Sequence, residues 1–272
     1  MKMIKVAVLG PKGTFSDLAY QKYIKNIQSS VFYFSSIEST VEALENLDYA
    51  VVPIENTLDG YIQQTLDLIL EKNVVVIDEI FIPVQFSLIA NAINMSEIKR
   101  VYTQFVSKGQ CQKIIKQINP DKLILTDSNM ESYQMVVEGC AGDAAIIPSH
   151  MVEHFDGFSI PNITDSEENF TRFFVLSKKD EKKIEDEMKV SIVVVPIIDR
   201  PGLLFDILGI FKTYDINLIS IMSRPTKTKM GHYNFYIEMK SNVEDKAKID
   251  QAINEIKKDF FIKILGIYPA RK

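Results

Sequence analysis

The chain has 272 residues and a net charge of −5, long enough for two or three cores at ordinary domain size. Nothing in that charge points to nucleic acid or an anionic membrane as partner, and no apolar run approaches the roughly 20 residues of a membrane span. Two cysteines, Cys111 and Cys140, and three histidines, His150, His154 and His232, supply no metal or redox motif. The cysteines read as buried thiols in a reducing cytosol, and the i,i+4 pair His150 and His154 reads as a surface pair.

In chain order, residues 5–9 form the first predicted strand. The apolar part of this start is too short for a signal peptide, so the expected location is cytoplasmic. Gly10-Pro11-Lys12-Gly13-Thr14-Phe15-Ser16 follows, then a helix through Leu18, Ala19 and Tyr23. Two glycines let the backbone approach a ligand closely, and Thr14 and Ser16 place hydroxyls at the helix start. The segment lacks the Lys-Ser/Thr pair of a P-loop and the third glycine of the dinucleotide fingerprint. It reads either as a tight turn with a capped helix or as a binding loop.

Residues 49–54 are a solid apolar run and predict a buried strand. The run breaks into Glu55-Asn56-Thr57, and a helix is expected at once through Leu58, Ile62, Leu66 and Ile69. Free N–H groups at such a helix start make an anion site; the alternative is that Asn56, Thr57 and Asp59 only cap the helix. Strands are expected near 84–89, 100–102, 123–125 and 144–147. A polar loop, 164–169, then leads into a strand ending in Phe173, Phe174, Val175 and Leu176. Thr171 and Arg172 stand at its entrance. An arginine flanked by aromatics suits a bidentate grip on a carboxylate, or equally a structural salt bridge.

Nearly every residue of 178–189 is charged, which predicts a solvated linker. Beyond it come a strand (190–196), a helix (202–214), strands 217–222 and 232–239, a helix (243–257) and a strand (260–268). This βαββαβ order is the ferredoxin-like arrangement. The basic stretch 223–229 reads as an exposed loop.

Three segments in this order resemble the motifs of the prephenate dehydratases: residues 10–16, residues 53–68 with Pro53-Ile54-Glu55-Asn56-Thr57 and Thr65-Leu66-Asp67-Leu68, and Thr171-Arg172-Phe173. The C-terminal part, with Asp199-Arg200-Pro201-Gly202 and Ile216-Asn217-Leu218, resembles an ACT domain. The resemblance implies an α/β chain with a two-lobed, type II periplasmic-binding-protein-like catalytic domain over 1–178. Lobe one would span about 1–80 and 160–178, and lobe two about 81–159. A linker over 179–189 and a ferredoxin-like ACT domain over 190–272 would follow.

The same resemblance implies conversion of prephenate to phenylpyruvate with no cofactor and no metal. Thr171 would help the ring hydroxyl leave, and Thr14, Ser16, Asn56, Thr57, Arg172 and Phe173 would contact substrate. Arg172 is expected on the pyruvyl carboxylate, because a cation on the departing carboxylate would stabilise the charge being lost. Phe173 and Phe15 would wall the ring, while Glu55 would face away and orient arginine or backbone groups. The ACT resemblance implies L-phenylalanine as allosteric effector, held by Gly202, Leu203, Asn217, Leu218 and Ser223, in a homodimer or homotetramer joined through ACT domains. The chain departs from the family at Thr103-Gln104-Phe105-Val106 (usually Ser-His-Pro-Gln), at Gln85 (often His), at Leu203 (usually Ala) and at Met222 (usually Glu). Competing classes are an enzyme acting on arogenate, a decarboxylase that keeps the ring hydroxyl, and a non-catalytic binding protein of the same fold.

Overall fold

The computed structural model describes residues 3–25, 27–166, 168–180, 184, 186–196, 200–226 and 232–271. Asp199 and residues 227–229, named above in motif and loop, lie outside them, as do parts of the charged stretch 178–189.

Lobe one opens with β1 (Ile4–Leu9), α1 (Phe15–Tyr23), β2 (Ser29–Phe34), α2 (Ile37–Glu42), β3 (Tyr49–Asn56), the short β4 (Gly60–Tyr61), α3 (Gln63–Glu71) and β5 (Val75–Pro83). The chain crosses to lobe two for β6 (Phe86–Ala90), β7 (Arg100–Gln104), α4 (Phe105–Gln110), α5 (Gln112–Ile118), β8 (Lys122–Thr126), α6 (Asn129–Val137), β9 (Asp143–Pro148) and β10 (Phe158–Ile160). It returns as β11 (Phe170–Ser177), which lies antiparallel between β3 and β5 and completes the order β2-β1-β3-β11-β5, with β4 paired to β3. The lobe-two sheet runs β10-β6-β9-β7-β8.

Central strands covered on both faces must be apolar throughout, and Val6, Ala7, Val8, Ala50, Val51 and Val52 are all fully buried. Because β1 and β3 are parallel, their carboxyl ends lie together, and antiparallel β11 brings its first residues to that same end. The loop after β1, the turn after β3 and residues 170–171 therefore share one edge of the sheet, where open α/β sheets hold ligands.

The helix expected directly after Glu55-Asn56-Thr57 begins only at Gln63. Before it, the chain folds back as a hairpin that pairs Gly60 with Asn56 and Tyr61 with Glu55. Gly60 sits at φ 78°, left-handed backbone that glycine adopts without strain. Leu58 is thus in a turn, with 48% of its surface exposed.

The C-terminal domain comprises β12 (Glu187–Pro196), α7 (Leu203–Thr213), β13 (Leu218–Pro225), β14 (Tyr233–Asn242), α8 (Lys246–Ile256) and β15 (Phe260–Pro269). Its sheet has the order β13-β14-β12-β15 with antiparallel neighbours. Helix residues Ile207, Phe211, Ile249 and Ile253 pack on Ile192 and Ile237 across one face. The opposite face packs on lobe one. Val193, Tyr236, Leu265 and Tyr268 join Leu66, Val76 and Phe174 in the core of lobe one. Lys189, assigned to the linker on its charge, is buried within β12.

Polar ties fix this docking. Arg224 of β13 bonds both carboxylate oxygens of Asp67 on α3, at 2.9 and 2.6 Å. Lys263 of β15 donates to the carbonyls of Ile69, Leu70 and Lys72 at 2.7–2.8 Å, a cation placed where the α3 dipole ends negative. Between them β15 crosses β5 so closely that a Cβ on Gly266 would lie 2.2 Å from the Val76 carbonyl oxygen. Gly266→Ala should therefore destabilise the protein by about 1–3 kcal/mol, as overpacking does. In thermal denaturation this would lower the melting temperature by several degrees; an unshifted melt would contradict the close-approach argument.

Candidate active site

At the shared edge, β3 ends in Asn56. Its Oδ1 accepts from the backbone N–H groups of Leu58 and Asp59, both near 3.0 Å, an Asx turn that opens the hairpin. Those two donors fix the orientation of the carboxamide, so its NH2 must face the other way. There it donates to Thr171 Oγ1 at 3.0 Å, to Asn169 Oδ1 at 3.0 Å and to the Phe170 carbonyl at 3.2 Å. Thr171 Oγ1 is thus an acceptor from Asn56, and its own proton has no acceptor among the described residues.

The chain of amides continues into lobe two. Asn169 Nδ2 donates to Gln110 Oε1 at 2.9 Å, and Gln110 Nε2 donates to Asp59 at 3.3 Å. Gln110 lies at the end of α4, so the segment that departs from the family motif, residues 103–106, still brings a polar group to the cleft four residues later. Gln110 and Asn169 were not singled out as site residues from sequence. For Asn169 a signal existed: it stands two residues before Thr171, and residues at i and i+2 share a strand face.

The Gly-rich loop meets lobe two as well. Thr14 caps α1, accepting from Asp17 N at 3.3 Å and donating to the Pro11 carbonyl at 3.0 Å. Its hydroxyl is therefore engaged within its own loop. The N–H groups of Phe15 and of buried Ser16 in the first helical turn have no partner among the described residues, as expected at a helix start. Across the cleft, His150 Nε2 donates to the Gly13 carbonyl at 2.9 Å, and its ring lies edge-on to Phe15 with centroids 5.7 Å apart. His150 is half-buried at the lobe contact, which corrects its reading as half of a surface pair. Among the described residues no cluster of His, Cys, Asp and Glu suits a metal ion. Cys111 is buried, and burial pushes its thiol up to about 12; Cys140 is exposed, against expectation.

Three expected contacts are displaced by packing. Thr57 Oγ1 donates to the Phe170 carbonyl and accepts from Phe170 N, both at 3.1 Å, pinning the turn to β11. Phe173 is 1% exposed and packs with Val6, Val8 and Ile80, so it cannot wall a ligand. Arg172 is 5% exposed on the face of β11 opposite Thr171, since adjacent strand residues point to opposite faces. Its guanidinium bonds Glu238 of β14 in a fork, at 2.8 and 3.2 Å, and reaches Glu79 at 3.4 Å. Glu55 Oε2 lies 3.3 Å from Arg172 Nε but off the N–H direction, so that contact is charge attraction without a hydrogen bond. Glu55 thus does face an arginine; burial pushes its carboxyl up, partly offset by Arg172.

A separate cavity of about 510 Å³, bordered by Lys22, Tyr23, Tyr49, Asp78 and Arg271, lies at the opposite end of the lobe-one sheet. Its cations are engaged, Lys22 with the Phe81 carbonyl and Arg271 with Asp78.

The family model for prephenate dehydratase matches residues 6–181, and that for the ACT domain residues 191–261. The chain belongs to the prephenate dehydratase family. It is 33% identical over 266 residues to the prephenate dehydratase of Methanocaldococcus jannaschii, covering 95% of this chain and 96% of that one. It is also 33% identical over 272 residues to the bifunctional chorismate mutase/prephenate dehydratase of Aquifex aeolicus, covering 98% and 74%. Among solved structures, the Staphylococcus aureus prephenate dehydratase matches with TM-score 0.82 at 29% identity, over 98% of this chain and 100% of that one. The Arthrobacter aurescens prephenate dehydratase in complex with L-Phe matches with TM-score 0.83 at 26% identity, over 98% and 90%. The fold is the two-lobed, type II periplasmic-binding-like architecture of these enzymes followed by an ACT domain.

In the ACT domain of this prephenate dehydratase family member, Gly202 adopts φ 82° at the start of α7. Leu203 is 4% exposed and packs in the domain core with Ile207 and Phe211, so it does not line a ligand pocket as expected. Asn217 and Ser223 are exposed, and Leu218 is half-buried where β13 begins.

His150 generates a test of lobe contact. Burial lowers its imidazole pKa below the ordinary 6.5, despite the opposing effects of the Gly13 carbonyl and Asp17. The unfolded chain then binds a proton that the folded ring resists. Stability from the neutral ring is complete above the unfolded value and is lost as pH falls below it toward the folded value. Thermal melts between about pH 7 and pH 5 should therefore decline more steeply for the parent than for His150→Gln, whose amide can still donate to Gly13. Parallel declines would sink this reading.

Proposed function

We propose that the cleft converts prephenate to phenylpyruvate in L-phenylalanine biosynthesis, and that the ACT domain lowers this activity when it binds L-phenylalanine. In the reaction the ring C–O bond and the bond to the ring carboxylate both break. The electron pair of the latter closes the aromatic ring, carbon dioxide departs, and the leaving oxygen takes one proton to become water. Aromatisation drives the step, so the protein's task is to hold a dianion and assist one oxygen.

The observation that carries this reading is the Asn56–Thr171 bond. Asn56 donates into Thr171 Oγ1, which leaves the threonine proton to be donated to the departing hydroxyl. A threonine is a weak acid, so it acts by hydrogen bonding or by relaying a proton, an effect of roughly 10²–10⁴-fold. The unpartnered N–H groups of Phe15 and Ser16 at the α1 start suit the pyruvyl carboxylate.

For regulation, Asn217 precedes β13, Leu218 and Ser223 lie within it, and Gly202 opens α7. Strand β13 is a sheet edge, with Ile219 and Ile221 42% and 44% exposed, and Phe205 on α7 78% exposed. An open strand edge flanked by exposed apolar side chains favours pairing with a second copy. The reading is therefore a homodimer or homotetramer joined at this edge, with the effector between ACT domains.

The test is direct. Purified protein mixed with prephenate should form phenylpyruvate, and Thr171→Ala should lower kcat by about 10²–10⁴-fold while Thr171→Ser retains most of it. Unchanged turnover in Thr171→Ala would remove the threonine from its role. A product that keeps its ring hydroxyl, or faster conversion of arogenate, would favour the rival enzyme classes. Tight prephenate binding without product would favour a binding protein. Added L-phenylalanine should give a calorimetric signal and slow the reaction; a flat trace would count against the regulatory half.

A further inference from the structure

Where the ACT sheet meets lobe one, its contacts converge on two side chains that neighbour the site. Arg172 is adjacent in β11 to Thr171, and Tyr61 lies in β4, paired with Glu55 and next to the Gly60–Asn56 pair. Glu238 of β14 takes the Arg172 fork and also accepts from Ser191 at 2.9 Å and Tyr268 at 2.6 Å. Tyr61 OH donates to Ser220 Oγ at 2.7 Å and lies 3.3 Å from Glu238. Ser220 and Glu238 are cross-strand partners of β13 and β14. One tyrosine hydroxyl therefore clasps the edge strand of the ACT sheet and its neighbour at the same place. The Tyr61 ring also lies 5.9 Å from the Arg172 guanidinium.

Both ladders are irregular at this junction. The β13–β14 pairing slips between Leu218 and Ser220. The β11–β3 pairing slips between Arg172 and Phe173, which face Glu55 and Pro53, so Ile54 is skipped. An irregular ladder bends the strand and re-aims side chains, here at the residue that follows Thr171.

We propose that Arg172 is a positioning residue and that, together with Tyr61, it links the ACT sheet to Thr171 and Asn56. Movement of β13 and β14 on effector binding is passed through Ser220 and Glu238 to the two strands that aim the Asn56–Thr171 pair. The inhibition arm of the test rests on the reading that L-phenylalanine binds the ACT domain; the exchange arm does not.

Tyr61→Phe removes one hydroxyl and keeps the ring against Tyr236. Its turnover without effector should stay within about twofold of the parent, and its calorimetric affinity for L-phenylalanine likewise. The factor by which saturating L-phenylalanine slows turnover should fall at least about fivefold, the scale of an allosteric coupling. Inhibition equal to the parent's, with equal binding, would overturn the link. If L-phenylalanine fails to slow the parent, the regulatory reading falls and hydrogen exchange decides. Without effector, Glu238→Gln should speed exchange of backbone amides in 55–61 and 169–173 at least about threefold, with 86–90 in lobe two unchanged. Should Glu238→Gln fail to fold, Tyr61→Phe is used for the same comparison on 55–61. Exchange matching the parent in those segments would overturn the proposal whether or not prephenate is turned over.

Discussion

Strand β11 cannot aim Thr171 at the cleft without aiming Arg172 the other way, because side chains alternate along a strand. That constraint organises the molecule. An arginine sent into the interior stays charged, and a charge removed from water must meet partners of opposite sign. Lobe one supplies Glu79 and the half-exposed Glu55, while Glu238, the closest of the three and the one that takes a fork, comes from the ACT sheet. Burial alone would raise the Glu238 carboxyl pKa. Arg172, Tyr268 and Ser191 outweigh it and hold the group below its usual range. The C-terminal domain is therefore a wall of lobe one's interior, and its docking completes an ion cluster that begins one residue from the proposed catalytic hydroxyl.

This explains which parts of the structure were legible in sequence. Strand–turn–helix order and the βαββαβ pattern follow from local periodicity, and β1, β3, β11 and the ACT elements lie where apolar runs and helical spacing put them. The hairpin of residues 57–61 was missed because Leu58, Ile62, Leu66 and Ile69 mimic one helical stripe, while Gly60 at positive φ breaks it. Asn56 was noticed as a turn residue, but its decisive partners are 113–115 residues away, beyond any local pattern. Arg172 and Phe173 were misplaced for a related reason. Motif adjacency suggested a shared role, whereas strand alternation sends Arg172 to the other face and core packing against Val6 and Val8 takes Phe173 out of the cleft. Leu203 was judged by bulk in a pocket, yet α7 turns it inward. Lys189 was grouped with the linker because charge usually marks solvent; its partner Glu79 lies 110 residues earlier.

The same division decides what surrounds the proposed chemistry. The group that meets Thr171 is the Asn56 carboxamide, uncharged and oriented by further hydrogen bonds to Leu58, Asp59, Asn169 and Phe170. Oriented neutral donors help a developing charge without having to reorganise. A guanidinium on the carboxylate that departs would instead stabilise the ground state more than the transition state. In this fold the nearest arginine in sequence is kept behind the sheet. Two cations, Arg172 and Lys189, face three carboxylates, Glu55, Glu79 and Glu238. With every group ionised the cluster carries one excess negative charge. The field reaching Thr171 is then that of a compensated cluster rather than of a bare cation. Sequestering the arginine and pairing it from the second domain are thus one solution: they keep the guanidinium out of the cleft and tie the strand that carries Thr171 to the ACT domain.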